Sequence, residues 1–298
     1  MKLSIPPKHL YAYTLCFLVN IIFCLHYYAA KVVISAGVNP LALSAVRGII
    51  GGTFLFLIYR DFFAKLNWHL IKNFALVAFF GFFFNQVFFL FGVKKTSPLN
   101  VAIIVNTIPV IITFLAVVSG LESAGKKKIA GLVIGFIAVV LLSAVSNNFT
   151  FHDSNLGDLF ILLNVVFYGI SVILSKKLLQ QEIAPHLFPI GVLLFGGMMH
   201  ALAGCFYLPE LFTYAISGPY QGLLILYEAI VSTGLVYLMI FLALKILPPS
   251  ATTIFAYLQP VIILCLDFFF LDKIPAASIF PIILAIIASG YMVISSRE

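Results

Sequence analysis

Charge is scarce in this sequence. Only 9% of its 298 residues are Asp, Glu, Lys or Arg, where a soluble domain carries about 25%. A chain that is also 63% hydrophobic cannot clothe itself in polar surface, so an ordinary soluble fold is excluded and lipid is the expected solvent. Cysteine is scarce as well. Cys16, Cys24, Cys205 and Cys265 all fall inside apolar stretches, at spacings that suit neither a zinc site nor a disulfide framework. H-E-x-x-H, a Gly-rich phosphate loop and C-x-x-C are missing, so no metal, nucleotide or other cofactor is expected. The net charge of +7 is then a question of which side of a membrane the basic residues occupy. Nucleic acid is not an expected partner.

What is present is a repeat. Residues 94–122, KKTSPLNVAIIVNTIPVIITFLAVVSGLE, return in altered form at 245–273, KILPPSATTIFAYLQPVIILCLDFFFLDK. Each copy runs from Lys94 or Lys245 through a Pro/Ser turn into an apolar span interrupted by Pro109 or Pro260. It ends at an acidic residue, Glu122 or Asp272. Two hydrophobic units half a chain apart indicate a duplicated membrane protein.

Apolar stretches divide the chain into spans at 10–30, 40–59, 73–93, 98–120 and 127–145. A polar break follows at 146–156, then spans at 157–175, 187–208, 220–244, 250–271 and 276–294. The expected fold is an all-α membrane protein, ten transmembrane helices arranged as two inverted five-helix repeats over 1–147 and 148–298. Inversion follows because five spans per half is an odd number. With the amino terminus inside, Lys2, Lys8, Arg60, Lys65, Lys72, Lys126, Lys127, Lys128, Lys176, Lys177, Lys245 and Arg297 are cytoplasmic. Only Lys31, Lys94, Lys95 and Lys273 face outward. That bias supports ten spans, with both termini cytoplasmic.

The first spans of the halves also match, FLVNIIF at 17–23 resembling ILLNVVF at 161–167. From each asparagine a polar stripe follows at helical spacing: Asn20, Cys24, Tyr27 and Lys31, then Asn164, Tyr168, Ser171 and Ser175. Such a face must meet protein or a wet cavity rather than lipid. Interhelical packing is the plainer explanation, and its recurrence in both halves favours a cavity.

On these residues, with NIIFCLHYYAAK and PLALSAVRG in the first half and the paired Pro-Val blocks, the chain resembles the EamA-type branch of the drug/metabolite transporter superfamily. The resemblance covers nearly the whole chain. Asp272 departs from it, standing where the family usually has Glu. Membership implies a carrier in the inner or plasma membrane and not an enzyme, without fixing the solute.

Ionisable groups within spans are few, and each is informative. Glu228 lies nine residues beyond Pro219 and Arg47 seven beyond Pro40, depths of about 13 and 10 Å at 1.5 Å per residue. The two can pair, or Glu228 can carry a proton while Arg47 orients its neighbours. Gly48 and Gly52 beside Arg47 fit close helix packing. Asn106 and Tyr257 each precede the span proline by three residues, and with Asn85 and Gln259 they fall near the midplane, where carriers bind. His26 and His200 are lone histidines, each expected to be satisfied or channel-facing. Glu122 and Asp272 suit local pairing with Lys126 and Lys273. The phenylalanines of 79–91 read mostly as lipid-facing bulk, with one face, interrupted by Asn85 and Gln86, able to line the apolar part of a pocket; Gly131 and Gly135 read as a helix contact and a candidate homodimer face.

The expected function is secondary transport, with export the expected direction, of a small polar or amphipathic metabolite such as an amino acid. It would work by alternating access around a midplane cavity, with the lipid bilayer as surroundings and proton coupling open. A lipid or polyprenyl-carrier flippase is the alternative. A membrane-embedded lipid-modifying enzyme is a weaker one, needing His152, Asp153 and Asp158 to converge.

Overall fold

The computed structural model describes residues 6–93, 95–96, 98–146, 155–181, 183–271 and 279–296. Most of the polar break with His152 and Asp153, the residues Lys94, Asp272 and Lys273, and Lys2 and Arg297 near the termini lie outside them. Among the described residues the chain is helical, without strands. In chain order the elements are α1 (Pro7–Ser35), α2 (Pro40–Ile58), α3 (Trp68–Val93), α4 (Pro98–Val105), α5 (Ile108–Val118), α6 (Lys126–Ser146) and α7 (Asn155–Leu179). Then come α8 (Leu187–Ala203), α9 (Leu208–Ile216), α10 (Pro219–Ile246), α11 (Pro249–Thr253), α12 (Gln259–Leu271) and α13 (Ile279–Ile294).

Prolines begin α1, α2, α10 and α11, where a missing N–H leaves no helical bond unmade. Asn39 caps α2 by accepting from the Leu41 amide at 2.9 Å, and Asn67 caps α3 by accepting from Leu70 at 2.8 Å. Among the described residues six helices are long and apolar enough to cross a membrane: α1, α2, α3, α7, α10 and the Pro249–Leu266 stretch. The chain is therefore multi-pass.

Among the described residues several expected spans are not continuous α-helix. The 250–271 stretch passes through a 3₁₀ segment at Ile254–Leu258. The 98–120 stretch breaks between α4 and α5 at Asn106 and Thr107, and the 187–208 stretch stops at Ala203 and turns by 82° into α9. Pro109 and Pro209 lie in the first turns of the resumed helices, because a proline cannot donate back to the preceding turn.

The chain folds into two compact units, one of residues 1–87 and 174–246, the other of 88–173 and 247–298. Each draws on both halves of the sequence. In the first, α2 lies against α8 with Gly48 facing Gly197, so closely that a Cβ on Gly48 would fall 2.7 Å from the Gly197 Cα. Gly51 meets α10 in the same way, 2.6 Å from the Ala229 carbonyl oxygen. Small residues are what allow backbones this near. At one end of this unit Lys176 of α7 donates to the Leu244 carbonyl at 2.8 Å, and Lys245 of α10 donates to the Leu179 carbonyl. Each lysine thus serves the other helix's orphan carbonyls and the negative end of its dipole. Beyond α2, Asp61 accepts from Lys65 at 2.6 Å and lies 3.3 Å from His186. The Lys65 hydrogen bond, aided by His186, holds the Asp61 carboxyl below the usual range.

Of the phenylalanines of 79–84, Phe79 is exposed but Phe82 is not lipid-facing bulk. Residues 79–84 form a π-helical segment of α3 in which Phe82 is buried, packed edge-on to His200 and Tyr237 and against Gly196. One extra residue in the turn swings side chains inward that α-helical spacing would send outward.

In the second unit α6 and α13 enclose a core of Leu132, Val139, Leu142, Ile254, Tyr257 and Ile286. Gly131 faces Met292 and Ser289, and Gly135 lies under the Tyr257 ring. Both glycines are filled by contacts within the unit.

Candidate functional site

The densest polar cluster lies in the first unit, on α10. Residues Tyr227–Leu235 form a π-helical segment, a widening that leaves backbone carbonyls short of their usual donors. Ser232 and Thr233 fill the gap, both hydroxyls donating to the Glu228 carbonyl, at 2.9 and 2.8 Å. Ser232 also stands 3.3 Å from the Glu228 carboxylate. The segment turns Glu228 inward, where it is fully buried.

Two basic side chains meet that carboxylate. Nδ1 of His26, on α1, lies 2.9 and 2.7 Å from the two oxygens, within hydrogen-bond distance of both. Arg47 of α2 approaches through Nε, 3.4 Å from Glu228 Oε2, and donates from the same nitrogen to the Thr233 hydroxyl at 2.8 Å. The close approach of α2 to α10 at Gly51, one turn beyond Arg47, brings the guanidinium within reach. A buried carboxylate needs such partners, since an isolated ion in this environment is prohibitively costly. The Glu228 side chain has no exposure, while His26 and Arg47 keep 14% and 11%. Acid behind and bases in front is the layout of the cluster.

Arg47 and Glu228 were paired by depth in the sequence, and the structure brings them together. His26 is the member that sequence reading set aside as a lone histidine. Its signal was depth: it lies nine residues before the end of α1 at Ser35, as Glu228 lies nine after the start of α10. A span drawn only to residue 30 hid that match.

The other sequence candidates are distributed over both units. Asn20 is buried and donates to the Cys16 carbonyl at 2.7 Å, and Cys24 is fully buried one turn on. Tyr27 is exposed. Asn85, half-buried, accepts from Gln86 at 3.3 Å. These belong to the first unit. In the second, Asn164 is buried, Tyr168 is half-buried, and Ser171 donates to the Tyr168 carbonyl at 2.7 Å. Asn106 and Gln259 are half-buried, one at the break between α4 and α5 and the other where α12 resumes after the 3₁₀ segment Ile254–Leu258. Tyr257 is enclosed, its hydroxyl donating to the Leu132 carbonyl at 3.2 Å.

Glu122 also differs from its expectation. Its partner is Lys128 at 2.8 Å, not Lys126, and both side chains are buried. Within the first turn of α6 the helix points Lys128 inward and leaves Lys126 in the open. Glu122 further accepts from the Ser250 amide at 2.8 Å and from its hydroxyl. A carboxylate of the first repeat thus caps the α11 start in the second.

The model of the EamA-like transporter family matches residues 10–144 and again 155–296. The chain belongs to this family. The transporter is 22% identical over 206 residues to an uncharacterized transporter of Archaeoglobus fulgidus, spanning 67% of this chain and 68% of that one. Against the uncharacterized transporter YyaM of Bacillus subtilis identity is 28% over 109 residues, and the match spans only 35% of that protein's length. A crystal structure of another protein superposes on 96% of the transporter and 95% of itself, with a TM-score of 0.77 at 16% identity. At that identity the likeness speaks for the fold alone.

Proposed function

We propose that this transporter is a secondary carrier that exports a small polar or amphipathic metabolite across the inner or plasma membrane by alternating access around a midplane cavity. In this reading the chain has ten spans in two inverted five-helix repeats, 1–147 and 148–298, with both termini cytoplasmic. Tyr27, Asn85, Asn106, Tyr168 and Gln259 contact the solute. Buried Asn20, Cys24, Asn164 and Ser171 shape the helix faces behind them, and Tyr257 holds the 3₁₀ segment Ile254–Leu258 from within.

The observation that carries the reading is the His26–Glu228–Arg47 cluster. One fully buried and two part-buried ionisable side chains meet on helices long enough to cross a membrane, where a merely structural role is met more cheaply by apolar packing. Such groups in membrane proteins ordinarily mark the path of a solute or an ion.

A lipid flippase would need a groove that takes both an acyl chain and a headgroup. The outer face of α6 and α13 does carry a groove, lined by Ile134, Ile137, Leu141 and Ile282 among others. Every residue lining it is apolar, so a headgroup finds no partner there, and the metabolite reading is the stronger.

The test is transport into proteoliposomes holding the purified protein, against a panel of amino acids, organic acids, sugars and phospholipid probes. Uptake or counterflow of a water-soluble metabolite is expected, and Asn20→Leu and Asn164→Leu should each slow it several-fold at normal expression. Scrambling of labelled lipid with no metabolite movement would replace this reading with the flippase.

A further inference from the structure

The layout of the cluster contains more than a site of unspecified solute. Glu228 is fully enclosed, and the hydrogen bonds and ion pairs of the two bases go to Glu228 and Thr233. Arg47 uses Nε alone, and His26 uses Nδ1 alone. Among the described residues the two terminal amino groups of Arg47 and the Nε2 of His26 take no protein partner, and both side chains keep an accessible remainder. The positions left without a hydrogen-bond partner are therefore a guanidinium edge and an imidazole nitrogen.

A guanidinium edge offers two parallel N–H donors that match the two oxygens of a carboxylate. Tautomer logic then decides what His26 adds. An ionised Glu228 can only accept, so Nδ1 of His26 must carry a hydrogen and Nε2 of the neutral ring is a bare acceptor. A bare acceptor repels an anion. Once Nε2 gains a proton it becomes a donor.

Charge balance gives the same answer. Empty, with His26 neutral, Arg47 and Glu228 sum to zero. An anion arriving alone would leave one uncompensated negative charge in a buried site, which is strongly disfavoured. An anion arriving with one proton on His26 restores zero. The other titratable groups near the cluster do not supply that charge. Tyr227 precedes Glu228 on α10, and its hydroxyl is enclosed without a hydrogen-bond partner. His200 of α8 lies within range of Arg47, its Nδ1 bound to the Gly196 carbonyl at 2.9 Å and its Nε2 enclosed without a partner, in contact with Phe82 and Phe83 rings.

We propose that the transporter binds a monocarboxylate together with one proton, the carboxylate lying on the Arg47 guanidinium edge and the proton on His26 Nε2, with Glu228 as the positioning residue that fixes the histidine. No covalent bond changes. One proton and one anion enter, and both leave on the other side, so the cycle is electroneutral. By linkage, each ligand strengthens the binding of the other by the same factor.

The proposal rests on the carrier reading but is tested by binding, so the two can fail separately. Lactate and benzoate, with lactamide and benzamide as uncharged matches and glycerol phosphate as a dianion, would be titrated calorimetrically into the full-length protein in nanodiscs. Measurements at about pH 6 and about pH 8 span the range a histidine traverses. The expected result is binding of the monocarboxylates only, weakening by up to tenfold per pH unit. Buffers of different ionisation heats should report uptake of one proton per anion. Glu228→Gln makes the empty cluster positive without a proton, so it should bind the same anions with little pH dependence and no proton uptake. Arg47→Lys keeps the charge but loses the paired donors, and should weaken binding at least tenfold with folding intact. His26→Gln should abolish proton uptake. Binding of the amides as tightly as the acids, preference for glycerol phosphate, anion binding without proton uptake, or no anion binding at either pH would each overturn the proposal. Transport of a neutral metabolite alongside any of these would leave the carrier standing.

Discussion

Two acidic residues, Glu228 and Glu122, are buried against basic partners, and they do different work. Glu228 has bases whose outer edges stay accessible, which is why it belongs to a site. Glu122 and Lys128 are both closed in, and the carboxylate spends its remaining capacity on the Ser250 amide and hydroxyl. That pair is a clamp. Removing one partner strands the other, so Glu122→Ala should cost roughly 3–5 kcal/mol, read as loss of thermal stability in nanodiscs. Adding Lys128→Met should recover much of that loss, because the uncompensated cation is gone. A double variant no more stable than the single one would place the clamp's value in the Ser250 cap instead. The sequence showed Glu122 ending its span beside three lysines, but not which lysine. Helix phase decides that, and the phase depends on where α6 begins.

At the scale of elements, the bundle of the first unit depends on how near α2 approaches its neighbours. Gly48 and Gly51 lie on adjacent faces, one toward α8 and one toward α10, so one helix packs closely on two sides. Gly51→Leu would drive a side chain into the Ala229 carbonyl and force the helices apart, at a cost of about 3 kcal/mol. Arg47, one turn away, should then lose its place beside Glu228. The check is two-fold: a lower melting temperature, and loss of solute binding that Leu at the exposed Ile49 does not reproduce. Unchanged binding in Gly51→Leu would mean that the cluster does not need this spacing. The Gly48-x-x-x-Gly52 pattern was visible in the sequence. That Gly51, outside the pattern, sets the distance to α10 was not, because the π-helical segment rotates Ala229 and Gly234 into place.

For the whole molecule, orientation is the property most open to test. In the first unit the Asp61–His186 contact draws the connections after α2 and before α8 to one end, and the reciprocal Lys176 and Lys245 bonds join the ends of α7 and α10. In the proposed orientation, with both termini cytoplasmic, all of these face the cytoplasm. Single cysteines at Lys127 and Ser154, in a protein lacking its native four, should react with an impermeant thiol reagent at 154 and not at 127 in intact cells. The reverse pattern would turn the molecule over. The sequence by itself determined what depends on composition and period. Lipid as solvent follows from 9% charge, the duplication from the recurring Pro-Val blocks, and the family from both. It also determined the depth of Glu228 and Arg47, since depth along a helix is a linear count of residues. Only the tertiary structure decided which side chains meet across helices. His26 reaches Glu228 because α1 runs five residues past its sequence-drawn end and because a π turn rotates the carboxylate inward. Neither register nor local winding is set by composition. Both depend on packing between segments far apart in the chain, here residues 26, 47 and 228.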